Sequence, residues 1–212
     1  MQVLALVTQK GGTGKSSLAV SLAVAALERG LNVRLADLDP QGTARSWSER
    51  RGGTAPRAEA VGADALPAWL AEQRRRACAL AVLDTPGVDG PAVNAAIAAA
   101  DLCLVPARPS IADIEAAGPT IRRLSRAGRR FAFVLNQCPP GRSIRTSDTF
   151  GALAAMSAVA DATLAIRADH LDALAQGLGV TEFDPAGKAA GEVRRLLDWS
   201  LARMGAQERA AA

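Results

Sequence analysis

Short apolar runs alternate along this chain with longer stretches whose apolar residues recur at helical spacing. Six runs read as buried strands: 3–7, 33–36, 80–83, 102–105, 131–135 and a short 163–166. Between them the periodicity predicts helices near 15–28, 43–50, 64–76, 90–99, 111–126, 146–158 and 186–204. Strands that are apolar on both faces and alternate with helices predict an α/β fold of three layers, a mostly parallel twisted sheet with helices on both faces. In such sheets ligands bind beyond the carboxyl ends of the strands. The residues just past each run are therefore the ones to inspect.

The first such end carries Lys10-Gly11-Gly12-Thr13-Gly14-Lys15-Ser16-Ser17. Glycine-rich, between a strand and a helix, this stretch has the context of a phosphate-binding loop, although the strict spacing fails because Gln9 stands where glycine is required. Glycines let successive backbone N–H groups turn onto phosphate oxygens, and the following helix N-terminus adds its positive end. In that reading Lys15 holds the β- and γ-phosphates and the Ser16 hydroxyl binds Mg²⁺. Ordinary phosphate loops carry one lysine, so Lys10 needs a separate explanation.

Two further strand ends carry acids. Asp37-Leu38-Asp39-Pro40-Gln41-Gly42 places two carboxylates at i and i+2 of an extended segment, where both can face the phosphates. A polar turn whose acids cap the next helix is the other reading. The third strand delivers Asp84 to the sheet edge in Leu83-Asp84-Thr85-Pro86-Gly87.

Length and composition narrow the class. The 212 residues, 49% of them hydrophobic, can bury one sizeable core, and no compositional break divides residues 1–212, so one domain is expected. No apolar run is long enough to span a bilayer, and a strand beginning at residue 2 leaves no room for a signal peptide. Cys78, Cys103 and Cys138 lie far apart without a C-x-x-C pair, which predicts reduced thiols of a cytoplasmic protein.

Residues 10–17 resemble the deviant Walker A box of the ParA/MinD group of P-loop ATPases, and closest to them are small plasmid-type ParA proteins without an N-terminal DNA-binding domain. The resemblance implies a P-loop NTPase fold, ATP and Mg²⁺ as cofactors, and a homodimer formed with ATP, in which Lys10 reaches the nucleotide of the partner subunit. Residues 37–42 resemble the A′ box, with Asp39 positioning the attacking water and Asp37 supporting the metal and the loop. Residues 81–87 resemble a Walker B segment, with Asp84 holding Mg²⁺ through a water and Gly87 near the γ-phosphate. Pro106-Ala107-Arg108-Pro109-Ser110, then Asp113, resembles the proline-rich segment beside the nucleotide, so Pro109 joins the site. Asn136 stands where the group reads adenine, although a strand-end asparagine in a turn is the plainer reading. Slow hydrolysis stimulated by a separate adaptor is also implied.

Net charge is only +4, yet residues 121–147 hold Arg122, Arg123, Arg126, Arg129, Arg130, Arg142 and Arg145 and no acid. Such a block either faces solvent or neutralises phosphates, and few aromatics are available to stack bases. The expectation is nonspecific double-stranded DNA binding extended by Lys188, and nucleoid association. The C-terminal Val193, Leu196, Leu197, Leu201 and Met204 pattern reads either as a core-docked helix or as a membrane-surface helix of MinD type. His170 gives no functional signal.

Overall fold

The computed structural model describes residues 1–210, and side-chain statements extend to residue 205. Its sheet holds β1 (Gln2–Leu6), β2 (Val33–Asp37), β3 (Ala58–Ala60), β4 (Leu80–Asp84), β5 (Leu102–Ala107) and β6 (Phe131–Leu135). The spatial order is β3-β2-β4-β1-β5-β6 and every pairing is parallel. Helices α1 (Lys15–Glu28), α2 (Thr43–Arg50), α3 (Leu66–Arg75), α4 (Pro91–Ala99), α5 (Ile111–Arg126) and α6 (Ile144–Ala154) connect or follow the strands, and α7 (Asp169–Ala175), α8 (Val180–Phe183) and α9 (Lys188–Ala210) complete the chain.

Because successive strand residues point to opposite faces, the strands feed two apolar layers. Leu4, Leu6, Leu35, Val82 and Leu104 pack on one face with α1, α2 and α9; Val3, Ala5, Leu83, Val105 and Phe133 pack on the other with α3 to α6. This explains the continuous apolar runs. Helix α1 is buried almost throughout, so it lies inside the molecule with its first turn fixed against the sheet.

The segment 163–166 departs from expectation. It forms no strand: Cys138 and Ala165 make one isolated bridge, reinforced by Leu164 N–H donating to the Leu135 carbonyl at 2.9 Å. Its would-be neighbour has left strand geometry, with Gln137 at φ 54°, so a ladder has nothing regular to extend along. The three-residue β3, paired with β2, goes unpredicted because Ala58-Glu59-Ala60 is too short for an apolar run, carries Glu59 at its centre and lies at the sheet edge. Short helices α7 and α8 likewise carry too few residues for a readable period.

Candidate nucleotide site

Residues 8–14 turn from β1 into α1 with Gly12 at φ 73° and Gly14 at φ 87°. Gly14 is constrained twice: a Cβ there would sit 2.5 Å from Asn136 Nδ2, apart from the left-handed backbone. Asn136 Nδ2 donates to the Thr13 carbonyl at 2.8 Å, and Gln137 Nε2 donates to the Gly12 carbonyl at 3.0 Å. The end of β6 thereby holds the loop in shape. Gly87 presses from the other side, its missing Cβ leaving 3.2 Å to the Gly11 backbone and 3.3 Å to Lys15 Nζ.

Above the loop opens a cleft of ≈ 530 Å³ lined by Gly11, Gly12, Gly14, Lys15, Ser16 and Ser17, with Asp39 and Gly87 opposite. Lys15 is 7% exposed and its Nζ donates to the Lys10 carbonyl at 3.4 Å. Burial pushes the Lys15 ammonium down, opposed by the charges of Asp84 and Asp39. A phosphate would restore what burial removes.

The sheet register brings the acids together, since Asp37 and Asp84 are direct partners across β2 and β4. Their roles then diverge. Asp37 is committed to backbone: Oδ1 accepts from Asp39 N–H at 3.0 Å and Oδ2 from Arg45 N–H at 2.9 Å. It fixes the turn and the start of α2, and it does not line the cleft. Asp39 does line it, with Oδ1 accepting from Gln41 N–H at 3.0 Å. Asp84 is fully buried, and neither carboxylate oxygen accepts a hydrogen bond. Burial pushes it up to about 7, with Asp37 and Asp39 adding to the rise and the nearby Ser16 hydroxyl and Lys15 opposing it. A sealed carboxylate without a donor, beside a serine hydroxyl, is the donor chemistry that Mg²⁺ takes. Ser16 and Asp84 fit that ion; Asp37 has no free oxygen lacking a backbone donor.

Lys10 does not enter the cleft. Its Nζ donates to Asp113 Oδ2 at 2.7 Å, from a side chain 25% exposed to a carboxylate 2% exposed. Asp113 opens α5 behind the N-cap Ser110, which accepts from its N–H at 3.2 Å. It also accepts from Ser110 Oγ at 2.5 Å and from Arg108 N at 3.3 Å and Nε at 3.2 Å. Burial alone would raise Asp113, but the bonds from Lys10, Ser110 and Arg108 outweigh it and hold it down at about 2. Asp113 was legible as part of a proline-rich segment, whereas its grip on Lys10, 103 positions away, was not. Pro109 is buried in this corner and does not line the cleft.

Beside the loop a second cavity of ≈ 210 Å³ is lined by Gly14, Ser17, Leu18, Asn136, Gln137 and residues 165–167, 170 and 171. It adjoins the phosphate cleft, with which it shares Gly14 and Ser17, and could hold the base of a nucleotide bound there. Asn136 has its amide nitrogen on the loop and His170 forms part of the wall. Residues 165–171 follow no readable period and reach the site through the bridge at Cys138 and through Glu192, whose Oε2 accepts from Ala165 N–H at 3.0 Å.

The arginine block does not form one patch. Arg122, Arg123 and Arg126 line a cavity against Gln9 and Asp89, and Arg123 is ion-paired with Asp89. Arg129 and Arg130 precede β6 and share a cavity with Arg203, whereas Arg142 lines another beside Ile144 and Phe150 after β6. Those two groups flank opposite ends of β6, a five-residue strand roughly 16 Å long. Arg145 is exposed on α6 and Lys188 is exposed at the start of α9.

A parallel sheet with a glycine-rich loop between its central strand and a buried helix, an amine in the loop and acids on the neighbouring strands defines a P-loop nucleoside-triphosphate-binding protein. The comparisons make the class narrower. Residues 4–195 match the family model described as the CobQ/CobB/MinD/ParA nucleotide binding domain, and the chain belongs to that family, the ParA/MinD group of P-loop ATPases. A maintenance of carboxysome distribution protein A from Gloeobacter kilaueensis is 38% identical over 58% of this chain and 56% of its own length. The matched stretch thus spans about half of that relative. The structure of Cyanthece apo McdA superposes with a TM-score of 0.79 at 15% identity, covering 94% of this chain and 99% of that one. The septum site-determining protein MinD of Pyrococcus horikoshii, complexed with Mg-ADP, superposes with a TM-score of 0.74 at 16% identity, over 93% and 94% of the two chains. These two likenesses concern the fold.

Proposed function

We propose that this protein is an ATP-dependent dimerising switch that binds DNA nonspecifically and positions a cargo, with hydrolysis stimulated by a separate adaptor. The observation that carries this reading is the division of labour between the two loop lysines. Lys15 lines the phosphate cleft, while Lys10 does not line it and is bonded to Asp113. A loop cation that its own cleft does not use is available to the cleft of a second copy.

Phosphoryl transfer to water depends on positioning and charge neutralisation. Lys15 and the loop N–H groups bind the β- and γ-phosphates, Ser16 and Asp84 hold Mg²⁺, and Asp39 orients the water. Mg²⁺, when bound, supplies charge neutralisation at the phosphates. The ring of donors includes no strong base, so turnover is slow and suits a timer. A plasmid, a chromosome region or a protein microcompartment is the cargo class, and the carboxysome-distribution relative favours the last.

The membrane alternative has less support. Val193, Leu196, Leu197 and Met204 are all buried in the layer shared with α1, so the apolar face of α9 is occupied by the core. No helix among the described residues is long and apolar enough to cross a membrane. DNA binding rests on exposed Arg122, Arg126, Arg129, Arg142 and Arg145, which two copies present twice. Analytical ultracentrifugation with and without Mg²⁺-ATP, followed by co-sedimentation with unrelated DNA duplexes and with anionic vesicles, tests the reading. Expected are an ATP-dependent dimer and salt-sensitive DNA binding; retention on vesicles but not on DNA refutes it.

A further inference from the structure

Glu192 stands on α9 among core residues: Ala189, Ala190 and Val193 beside it are all buried, so the core fixes the place of its carboxylate. The residue is itself buried, and a buried carboxylate has to be compensated by donors. Among the described residues, those donors all come from one short stretch. Oε2 accepts from Ala165 N–H at 3.0 Å, and Oε1 accepts from Arg167 Nη2 at 2.6 Å. Residues 164 and 166 turn the other way, the Leu164 carbonyl accepting from Cys138 N–H at 3.0 Å and Ile166 N–H donating to the Cys138 carbonyl at 2.8 Å. The stretch is thus pinned between the end of β6 and α9, and Ala165, Ile166 and Arg167 line the ≈ 210 Å³ cavity beside the phosphate cleft. His170 lines the same cavity, and its Nε2 is buried without a hydrogen-bond partner among the described residues. An unpaired buried nitrogen calls for a ligand with polar edges, which a nucleobase has.

We propose that Glu192 is a positioning residue for the base of the bound nucleotide: it acts through Ala165 and Arg167 and holds their stretch where a base can pack. The inference rests on the ATP reading above and adds the part of α9 that serves it. The phosphate loop is braced separately, by Asn136 and Gln137 on the Thr13 and Gly12 carbonyls, and receives no bond from Glu192 among the described residues. Removing the carboxylate frees Ala165 N–H and leaves the Arg167 guanidinium, on a side chain 20% exposed, without its bonded acid. The hold on the base is therefore weakened and the hold on the phosphates is spared.

The test compares two ligands by titration calorimetry with Mg²⁺: ATP, and ribose triphosphate, which lacks only the base. Wild type should bind ATP more tightly. In Glu192→Ala the ATP affinity should fall about tenfold, the size of one buried hydrogen bond lost, while that for ribose triphosphate stays within about twofold. Glu192→Gln keeps an oxygen for Ala165 N–H and gives up the ion pair, so its loss should be about threefold and again confined to ATP. This milder variant carries the test if Glu192→Ala fails to fold. A merely structural role would lower both affinities together; that result overturns the proposal, as does an unchanged ATP affinity. Equal wild-type affinities for the two ligands overturn it as well and leave the phosphate site standing. A wild-type chain that binds neither ligand overturns the nucleotide reading and the inference together, so the wild-type arm distinguishes the two failures.

Discussion

Substituting Gly14 by alanine tests whether the phosphate loop is shaped by its own backbone or by the strand end that supports it. At φ 87° an L-residue carries a left-handed backbone cost of about 1–2 kcal/mol. The new Cβ would also lie 2.5 Å from Asn136 Nδ2, which must withdraw and break its 2.8 Å bond to the Thr13 carbonyl. Losing a buried hydrogen bond adds about 1–3 kcal/mol. If both fall on the phosphate-binding conformation, ATP affinity drops at least about 30-fold, since about 1.4 kcal/mol is tenfold. Titration calorimetry with ATP, run on wild type, Gly14→Ala, Asn136→Ala and the double variant, separates the contributions. With the amide removed, the same alanine should cost only the backbone part, about 5- to 30-fold. An equal loss in both backgrounds, or a Gly14→Ala chain binding within threefold of wild type, would show that Asn136 does not brace the loop.

Asp39→Ala should leave a long-lived ATP dimer with hydrolysis reduced at least about tenfold, in phosphate release and ultracentrifugation; undiminished hydrolysis counts against a water-positioning role. Asp84→Asn should raise the melting temperature of the nucleotide-free protein at pH 8, because the carboxylate held up near 7 must ionise there without a donor, while Mg²⁺-dependent hydrolysis is lost. At about 2–4 °C per kcal/mol for a chain of this size, scanning calorimetry resolves the gain. Arg51→Ala should destabilise by about 3 kcal/mol, since its buried guanidinium bonds Glu182, Gly177 and Ala55 and lies 5.2 Å over the Trp47 ring. Burial would raise Glu182, but its bonds to Arg51 and Gly179 hold it below its ordinary 4.5. Its contribution is therefore present above about pH 4.5 and disappears as the pH falls through the lower folded value. Urea melts at pH 7 and pH 3.5 should show the Arg51→Ala deficit shrinking in acid; a constant deficit argues against the ion pair.

Much of the site was legible because it is local. The loop 10–17, the acids 37 and 39 and Asp84 follow apolar runs, and a parallel sheet brings such run ends to one edge whatever the details. What the chain order could not show is which atoms each acid spends. Asp37 and Asp39 look alike at i and i+2, yet backbone N–H groups of the turn at Asp39 and of α2 at Arg45 take one oxygen of Asp37 each, while Asp39 lines the cleft. The arginines at 122–145 form one block in sequence but line three separate cavities, because Arg122, Arg123 and Arg126 lie on α5, Arg129 and Arg130 in the turn before β6, and Arg142 beyond it. The wall of the second cavity at 165–171 escaped because it is neither strand nor helix over most of its length and is held by single contacts from distant residues.

By itself, the sequence determined that this protein has alternating strands and helices and a phosphate loop with one lysine too many, since period and glycine spacing act between near neighbours. Only the tertiary structure decided where that extra lysine rests. Lys10 meets Asp113 because β1 and β5 are adjacent strands whose following turns share an edge, a proximity that a sequence separation of 103 conceals. Charge pairing over such a span is a property of the packed sheet, where burial of the carboxylate makes each of its partners count.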